Sequence, residues 1–182
     1  MIAAGAGRAA LMLLRNPARI TNRGRKLWTH GNAELLTEPL HALLCSKACP
    51  GDKIIEAVDL SQRWRAENRS VISGFQTAVE KECLRFFLRG PQQVVICPAR
   101  GIDPFQLPSD WQTKYQRGEI LIVSPFASST RRPTKETADV RNRLVVDLAT
   151  HITIIHASRG GQLERLATTQ TGAIAHNPLS TT

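Results

Sequence analysis

The feature that most constrains the fold of this chain is a series of short apolar runs that alternate with helical patterns. Beyond residue 38 the runs predict six strands, at residues 40–46, 70–73, 93–97, 119–124, 152–157 and 173–176. Short strands separated by helices are typical of a parallel sheet that is covered on both faces. The predicted fold class is therefore α/β, a Rossmann-like three-layer sandwich with a mostly parallel sheet of about six strands.

Amphipathic segments fill the intervals between these strands. They predict helices at residues 52–68, 79–89, 109–117, 133–151 and 161–172. The helix at 52–68 is expected to turn inward a stripe formed by Ile54, Ile55, Val58, Leu60 and Trp64. The helix at 133–151 is expected to do the same with Val140, Leu144 and Leu148.

The positive charge of the chain is concentrated near its start. The formal net charge is +9, and residues 1–31 supply six basic groups and no acid, at Arg8, Arg15, Arg19, Arg23, Arg25 and Lys26. We therefore predict a basic N-terminal extension at residues 1–38, which could be flexible, and a single domain at 39–182. The extension could be a nucleic-acid-binding arm, a transit-like peptide or a solvated tail. Its apolar run at 9–14 is too short to cross a bilayer, so no membrane association is expected.

The four cysteines lack both the paired spacing of a zinc site and the density of a secreted disulfide scaffold. They stand at Cys45, Cys49, Cys83 and Cys97. We expect reduced, mostly buried thiols in a cytoplasmic protein.

Serine, glycine and basic residues recur directly after the predicted strands. In a Rossmann-like sheet the carboxyl ends of the strands and the helix N-termini meet at one edge, where ligands bind. The strand ends therefore predict an anion pocket, although each signal alone fits a simple turn. The candidate residues at strand ends are Ser46, Lys47, Ser73, Gly74, Phe75, Arg100, Gly101, Ser124, Phe126, Gly160, Gly161 and Gln162.

Further candidate residues lie on the predicted helices. They are Glu80, Arg141, Asn142 and Arg143. Three adjacent residues on a helix point in different directions, so one of Arg141, Asn142 and Arg143 is expected near the sheet and another in water. Glu80 is expected to orient a basic residue of the pocket.

Five stretches, in this order along the chain, resemble the Rossmann-like core of the DNA-processing protein A family, also called Smf. They are SGFQTAVEKE, ARGIDPFQLP, LIVSPF, RNRLVVDLA and IIHASRGGQLERLA. The resemblance covers residues 40–177, and its most specific part is Arg141-Asn142-Arg143 followed by two aliphatic residues. Ser46-Lys47 stands where the family has Ser-Arg, and Ser73-Gly74 matches the Ser-Gly turn of the family.

The resemblance implies a protein that binds single-stranded DNA, protects incoming DNA during transformation and helps to load a recombinase. Lys47, Arg100, Arg141 and Arg143 would then neutralise phosphates. Hydroxyl or backbone hydrogen bonds would come from Ser46, Ser73, Gly74, Gly160 and Gly161. Either Phe75 or Phe126 could stack on a base, or both could belong to the core. A homodimer is a further possibility.

Two alternatives remain open at this point. The related lysine-decarboxylase-like (LOG) group has the signature Pro-Gly-Gly-x-Gly-Thr-x-x-Glu, and residues 159–167 keep its two glycines but lack the final carboxylate. A nucleotide-binding sensor or hydrolase of that kind is one alternative, and an inactive scaffold is the other. No catalytic residue, metal ligand or cofactor is predicted, although a nucleotide is a possible ligand, and an enzyme is less expected than a binding protein.

Overall fold

The structure, a computed structural model, describes residues 12–169 of the chain. The strands in that range are β1 (Met12–Leu14), β2 (Ala18–Asn22), β3 (Arg25–Gly31), β4 (His41–Cys45), β5 (Val71–Ser73), β6 (Val94–Ile96), β7 (Phe105–Leu107), β8 (Ile120–Ser124) and β9 (His151–His156). The helices are α1 (Gly51–Ala66), α2 (Ala78–Leu88), α3 (Gln112–Gln116), α4 (Lys135–Leu148) and α5 (Gln162–Thr169). Short 3-10 helices occupy Ala33–Thr37 and Ser109–Trp111.

Seven of the strands form one sheet in the order β2-β3-β8-β6-β5-β4-β9. The five strands from β8 to β9 in this order pair in parallel. At the other end of the sheet, β3 pairs antiparallel with β8, and β2 pairs antiparallel with β3. The mostly parallel Rossmann-like sheet is confirmed, and so are five of the predicted strands. The sixth, at residues 173–176, lies outside the described residues. A separate two-stranded sheet joins β1 to β7.

The sheet is buried on both faces, which explains why its strands show no polar alternation. In β4, Leu43 and Cys45 belong to the core cluster that packs against α1 and α2. Their neighbours Ala42 and Leu44 belong to the opposite cluster, which α4 and α5 cover. Successive strand residues face opposite sides, so each face receives an apolar layer. The chain therefore forms the predicted three layers.

Two of the predicted helix stripes are partly wrong. Ile55 is 65% exposed and Val140 is 46% exposed. The face that α1 buries consists instead of Ala57, Ser61 and Trp64. The small side chains of Ala57 and Ser61 allow α2 to approach closely, so that the Cys83 thiol donates a hydrogen bond to the Ala57 carbonyl at 3.7 Å. In α1 the face that turns inward is therefore the one that lets α2 pack closely.

The cysteines are free thiols, and Cys45, Cys83 and Cys97 are buried, as predicted. Burial raises the pKa of Cys83 to about 11 and that of Cys97 to about 12. Both thiols are therefore protonated at neutral pH. Over residues 12–169, every helix is too short or too polar to traverse a lipid bilayer.

The N-terminal segment differs from the predicted flexible extension, because residues 18–31 form a hairpin that continues the main sheet. Arg23 and Gly24 connect β2 to β3 and have φ angles of 47° and 78°. Two positive φ values are the requirement of the tight hairpin turn that matches the strand twist. The other strand of the hairpin, β3, pairs with β8 in the sheet. The main sheet thus includes residues on the N-terminal side of the boundary expected at residue 38.

Several of the basic residues in this segment have partners in the described structure. Arg25 forms a salt bridge of 2.6 Å with Asp147 of α4, and Arg23 donates to the Asp147 carbonyl. Arg19 lies over the Trp28 ring, with its guanidinium carbon 5.6 Å from the ring centroid. The charge run therefore serves partly to attach the hairpin to the rest of the fold.

Substitution of Gly31 by alanine tests whether this hairpin belongs to the cooperative unit. Gly31 has a φ of 100°, and a Cβ there would lie 2.3 Å from the Ile120 carbonyl oxygen. We expect Gly31→Ala to lower the free energy of unfolding by about 2–4 kcal/mol, measured by urea denaturation, because backbone strain and a backbone clash add.

The matched control is Gly24→Ala in the hairpin turn. Gly24 also has a positive φ, but a Cβ there meets no atom within 4 Å. We expect a loss of only about 1 kcal/mol from the strained dihedral. Equal and negligible effects of the two substitutions would show that the hairpin detaches without affecting the fold.

Candidate functional site

A cleft of about 690 Å³ lies where the sheet topology reverses. From β4 the chain adds β5 on one side, and β9 later pairs with the other side of β4. Loops leave this point in opposite directions, which opens a crevice beyond the carboxyl ends of the strands. We call it the basic cleft and define it by Ser46, Lys47, Gln76, Glu80, Lys81, Arg141, Asn142 and Gln162.

The central feature of the basic cleft is the buried guanidinium of Arg141, which is only 4% exposed. Its Nε donates to Asn142 Oδ1 at 2.8 Å, and its two terminal nitrogens donate to the Cys97 carbonyl at 3.2 Å and to Gln76 Oε1 at 3.1 Å. All three acceptors are neutral. A guanidinium has five N–H donors, so two of them have no hydrogen-bond acceptor among the described residues.

Gly74 makes the space that the guanidinium occupies. A Cβ at residue 74 would lie 1.2 Å from one terminal nitrogen of Arg141. The Ser73-Gly74 turn is therefore needed for the close approach of a side chain, and not for an unusual backbone angle. Only glycine allows Arg141 to reach across the edge of the sheet to Cys97.

The charge of Arg141 is only partly compensated within the protein. Burial lowers the pKa of Arg141, while the neighbouring Glu80 carboxylate and Cys97 oppose that shift. Glu80 is itself engaged, because one carboxylate oxygen accepts from the Cys45 N–H at 3.0 Å. The other oxygen accepts from the N–H groups of Gln76 and Thr77 at 2.9 and 3.2 Å. An anion entering the cleft would meet a cation that has no direct carboxylate partner.

Glu80 also fixes the start of α2. The Thr77 hydroxyl accepts from the Glu80 N–H at 3.2 Å, and the Glu80 carboxylate accepts from the Thr77 N–H, which together form a capping box. Glu80 was expected to orient a basic residue of the pocket, but among the described residues its carboxylate bonds to no basic side chain. Its direct bonds go to backbone groups that shape the cleft.

Two exposed lysines add positive charge to the cleft. Lys47 follows β4 and Lys81 lies in the first turn of α2, and both are exposed. Together with Arg141 they give three cations against the single carboxylate of Glu80. The N-terminal end of α2 contributes further positive potential at the same place.

A chain of side-chain amides holds the far wall of the cleft. Asn142 donates to Gln162 Oε1 at 3.2 Å, and the Gln162 amide donates to the Lys135 carbonyl at 3.1 Å. Asn142 is 7% exposed and also accepts from Arg141. The two helices α4 and α5 are thereby joined, and the orientation of the Arg141 guanidinium is coupled to α5.

Ser46 ties together the loops that follow β4 and β9. Its hydroxyl accepts from the Ser158 N–H at 3.0 Å. The Ser158 hydroxyl in turn lies 3.4 Å from the Ala48 carbonyl, to which it donates. Ser46 can still donate its own hydroxyl proton to a ligand.

The two predicted serines at other strand ends are buried and bonded within the protein. Ser73 accepts from the Phe75 N–H at 3.4 Å. Ser124 donates to the Arg100 carbonyl at 2.7 Å and accepts from the Phe126 N–H at 3.1 Å. Both residues are 0% exposed, so they hold turns and do not contact a ligand.

Gly101 likewise has a structural role. Its N–H donates to the Thr130 carbonyl at 2.8 Å. A Cβ at this position would lie 2.3 Å from the Ala127 carbonyl oxygen. The glycine therefore permits close contact with the loop after β8 and presents no free N–H to a phosphate.

The two candidate aromatics lie in different environments. Phe75 is 5% exposed and packs edge-on against Phe87, with 6.3 Å between the ring centroids. This places Phe75 in the core, where little of its ring is exposed to a base. Phe126 is half-buried and lines a separate crevice with Arg19 and Trp28.

Arg100 and Arg143 are not in the basic cleft. The Arg100 guanidinium carbon lies 5.7 Å from the Phe105 ring centroid, beside a neighbouring cleft. Arg143 is exposed and faces a crevice that Arg25 and Arg165 also line. The expectation that the Arg-Asn-Arg triplet divides between interior and solvent is confirmed, because Arg141 and Asn142 are buried.

The Gly160-Gly161 pair, the strongest phosphate signal in the sequence, is occupied from within. The Gly160 N–H donates to the Glu164 carboxylate at 2.6 Å, and the Gly161 N–H donates to the Ser158 carbonyl at 2.8 Å. A carboxylate of the same chain thus takes the place that a phosphate would take at this turn. The sequence alone did not indicate this bond, because it depends on the folded turn that brings Glu164, in the first turn of α5, back to Gly160.

Two residues of the cleft were missed by the reasoning from sequence. Gln76 bonds to Arg141, and Lys81 stands beside the buried Glu80. The available signal was the Thr77–Glu80 capping box, which fixes where α2 begins and hence which flanking residues face the edge. Within residues 12–169, no cluster of three or more histidine, cysteine or carboxylate groups has metal-binding geometry.

Comparisons with known proteins agree with this architecture. DNA processing protein A from Helicobacter pylori, a single-stranded DNA-binding protein, superposes with a TM-score of 0.67 and 18% identity, over 92% of this chain and 84% of that one. DNA processing protein A from Streptococcus pneumoniae gives a TM-score of 0.64 and 20% identity over 85% of this chain. The match spans only 56% of the pneumococcal protein. A comparison with curated proteins finds no significant sequence match.

The family model described as DNA recombination-mediator protein A matches residues 15–176. That range includes the N-terminal hairpin as well as the whole basic cleft. The chain belongs to the DNA recombination-mediator protein A family.

Proposed function

We propose that this protein binds single-stranded DNA in the basic cleft and acts in DNA processing during uptake and recombination. Family membership supports the biological role. The Arg141 guanidinium supports the mode of binding, because it is 4% exposed and bonded only to neutral acceptors. Burying a cation without an anionic partner is costly, and a bound phosphate would compensate that cost.

The arrangement of the cleft suits a nucleic-acid backbone. Arg141 forms a rigid, recessed donor, while Lys47 and Lys81 lie exposed at the rim. A recessed arginine can fix one phosphate with two parallel hydrogen bonds, and mobile lysines can neutralise the phosphates on either side. Such contacts recognise the backbone and tolerate any base sequence.

Membership of the DNA recombination-mediator protein A family argues against the alternative function, that of a nucleotide-processing hydrolase of the lysine-decarboxylase-like group. The glycine pair that would serve a nucleotide phosphate donates its N–H groups to Glu164 and Ser158 instead. The family description also supports a proposed interaction with a recombination protein. Formation of a homodimer stands as a proposal from the resemblance of the sequence to that family.

Neutralising the rim lysines should weaken binding in a salt-dependent way. For Lys47→Gln and Lys81→Gln we expect lower affinity for single-stranded DNA, and a fall of about 0.7 in the slope of log affinity against log salt for each lost phosphate contact. Fluorescence anisotropy with a labelled strand at several salt concentrations measures both quantities.

Arg117→Gln is the matched control for these lysines. Arg117 is also exposed but precedes β8, so it lies at the opposite edge of the sheet. We expect its affinity and salt slope to match those of the unmodified protein. The same loss in all three variants would mean that net charge alone governs binding, which would contradict the proposed cleft.

Displacing Arg141 without removing it gives a second test. Gly74→Ala would force the guanidinium away from the Cys97 carbonyl, since the new Cβ would lie 1.2 Å from its nitrogen. We expect single-stranded DNA affinity to fall about tenfold or more, as for loss of a charged hydrogen bond. Thermal and urea unfolding should show a stability loss of about 1–3 kcal/mol from the broken buried bonds.

Gly51→Ala is the control for this substitution. Gly51 begins α1 near the same edge, and a Cβ there meets no atom within 4 Å. The affinity of Gly51→Ala for single-stranded DNA should equal that of the unmodified protein. Full DNA affinity in Gly74→Ala would show that the position of Arg141 does not matter for binding.

A further inference from the structure

A second cleft, of about 560 Å³, opens at the same edge of the sheet, beyond the ends of β5 and β6. It differs from the basic cleft in having largely apolar walls. We call it the aromatic cleft and define it by Leu84, Leu88, Phe105, Pro108 and Trp111, with Lys81, Arg85 and Arg100 at its rim.

The aromatic cleft presents a flat ring surface backed by the core. Trp111 is half-buried and lies 6.4 Å from Phe105, measured between ring centroids. Phe105 is 5% exposed and its ring is inclined by 32° to the indole, and the Arg100 guanidinium carbon lies 5.7 Å from the Phe105 ring centroid. Trp111 packs against the core and lines the cleft, and a half-buried indole of this kind is a suitable stacking surface for another planar ring.

The charges around this cleft favour an anionic ligand with an apolar part. Lys81, Arg85 and Arg100 line it, against the single acid Asp110. Arg85 is paired with Glu82 at 2.9 Å, but both side chains are largely exposed, so the pair is weak and can exchange partners. A nucleotide unit, with its planar base and charged phosphate, meets both requirements.

The two clefts are continuous. Gln76 and Lys81 line both of them, and Gly74 borders the aromatic cleft at the point where Arg141 reaches over it. A chain that leaves the basic cleft along the strand ends therefore passes Gln76 and Lys81 and enters the aromatic cleft. A single strand is flexible enough to follow this edge and to expose its bases.

We propose that the aromatic cleft is a nucleobase subsite, in which a base of the bound single strand stacks on Trp111 while its neighbouring phosphates lie in the basic cleft. This inference rests on the proposed function and adds to it a contact with a base. The subsite discriminates poorly among bases, because every base has a flat face and the walls offer few directed polar groups. Because of this subsite, the protein should bind strands with intact bases more tightly than a bare sugar-phosphate backbone.

The test compares two labelled single strands of equal length, roughly ten nucleotides, within the usual site sizes of single-strand-binding folds. One is oligothymidylate, and the other carries abasic sites throughout and so keeps only the backbone. Each is titrated into the unmodified full chain, Trp111→Leu and Trp111→Phe. The phenylalanine variant is the matched control. It also loses the indole and its packing, but it keeps an aromatic ring on which a base can stack.

We expect the unmodified protein to bind oligothymidylate about tenfold more tightly than the abasic strand, the effect of one base–aromatic stack. Trp111→Leu should bind both strands equally, at the abasic affinity, whereas Trp111→Phe should retain most of the preference. A Trp111→Leu variant that keeps the full preference for bases would overturn the subsite.

The remaining outcomes separate this inference from the proposed function. Binding of both strands with equal affinity by the unmodified protein would refute the base subsite but leave backbone binding intact. Failure to bind either strand would refute both. A change in the sedimentation of the DNA-free protein upon Trp111→Leu, without any change in base preference, would assign the aromatic cleft to a second copy of the chain and overturn the subsite.

Discussion

The site depends on one buried cation held without a direct anionic partner. Arg141 reaches across the carboxyl edge of the sheet because residue 74 has no Cβ, and it is fixed there by Cys97, Gln76 and Asn142. Glu80, the carboxylate whose charge acts on Arg141, is bonded to three backbone N–H groups. This arrangement orients a guanidinium in advance and leaves its charge available. The binding of a phosphate therefore costs little free energy for reorganising the site.

The edge strands of the sheet show how much of the basic N-terminal segment belongs to the fold. The hairpin of β2 and β3 adds two antiparallel strands beyond β8, and Arg25 anchors it to α4 through Asp147. The same arginine borders the crevice that Arg143 lines. The positive charges of the hairpin, which were expected on an N-terminal extension, therefore lie on the surface of the folded sheet. Their position relative to the carboxyl edge of the sheet is fixed.

The sequence was sufficient to predict the parallel core, because strands buried on both faces leave continuous apolar runs such as 119–124. The hairpin was not predicted, because the basic residues Arg19, Arg23 and Arg25 were interpreted as part of an extension, although Leu27 and Thr29 of β3 are buried. Individual site residues were harder still. Whether a strand-end serine or glycine contacts a ligand depends on its partners in the folded chain. Ser124 bonds to Arg100, 24 residues away, and the bond between Gly160 and Glu164 depends on how the turn before α5 folds.

The most direct test of a strand-binding cleft is the dependence of affinity on ligand length. Unlabelled mononucleotides and single strands of increasing length would compete with a labelled strand for the unmodified protein, at several salt concentrations. We expect affinity and salt dependence to rise with each phosphate added until the clefts are filled, and mononucleotides to compete only weakly. Competition by a mononucleotide as effective as that of a long strand, with little dependence on salt, would contradict strand binding and indicate a pocket for one nucleotide.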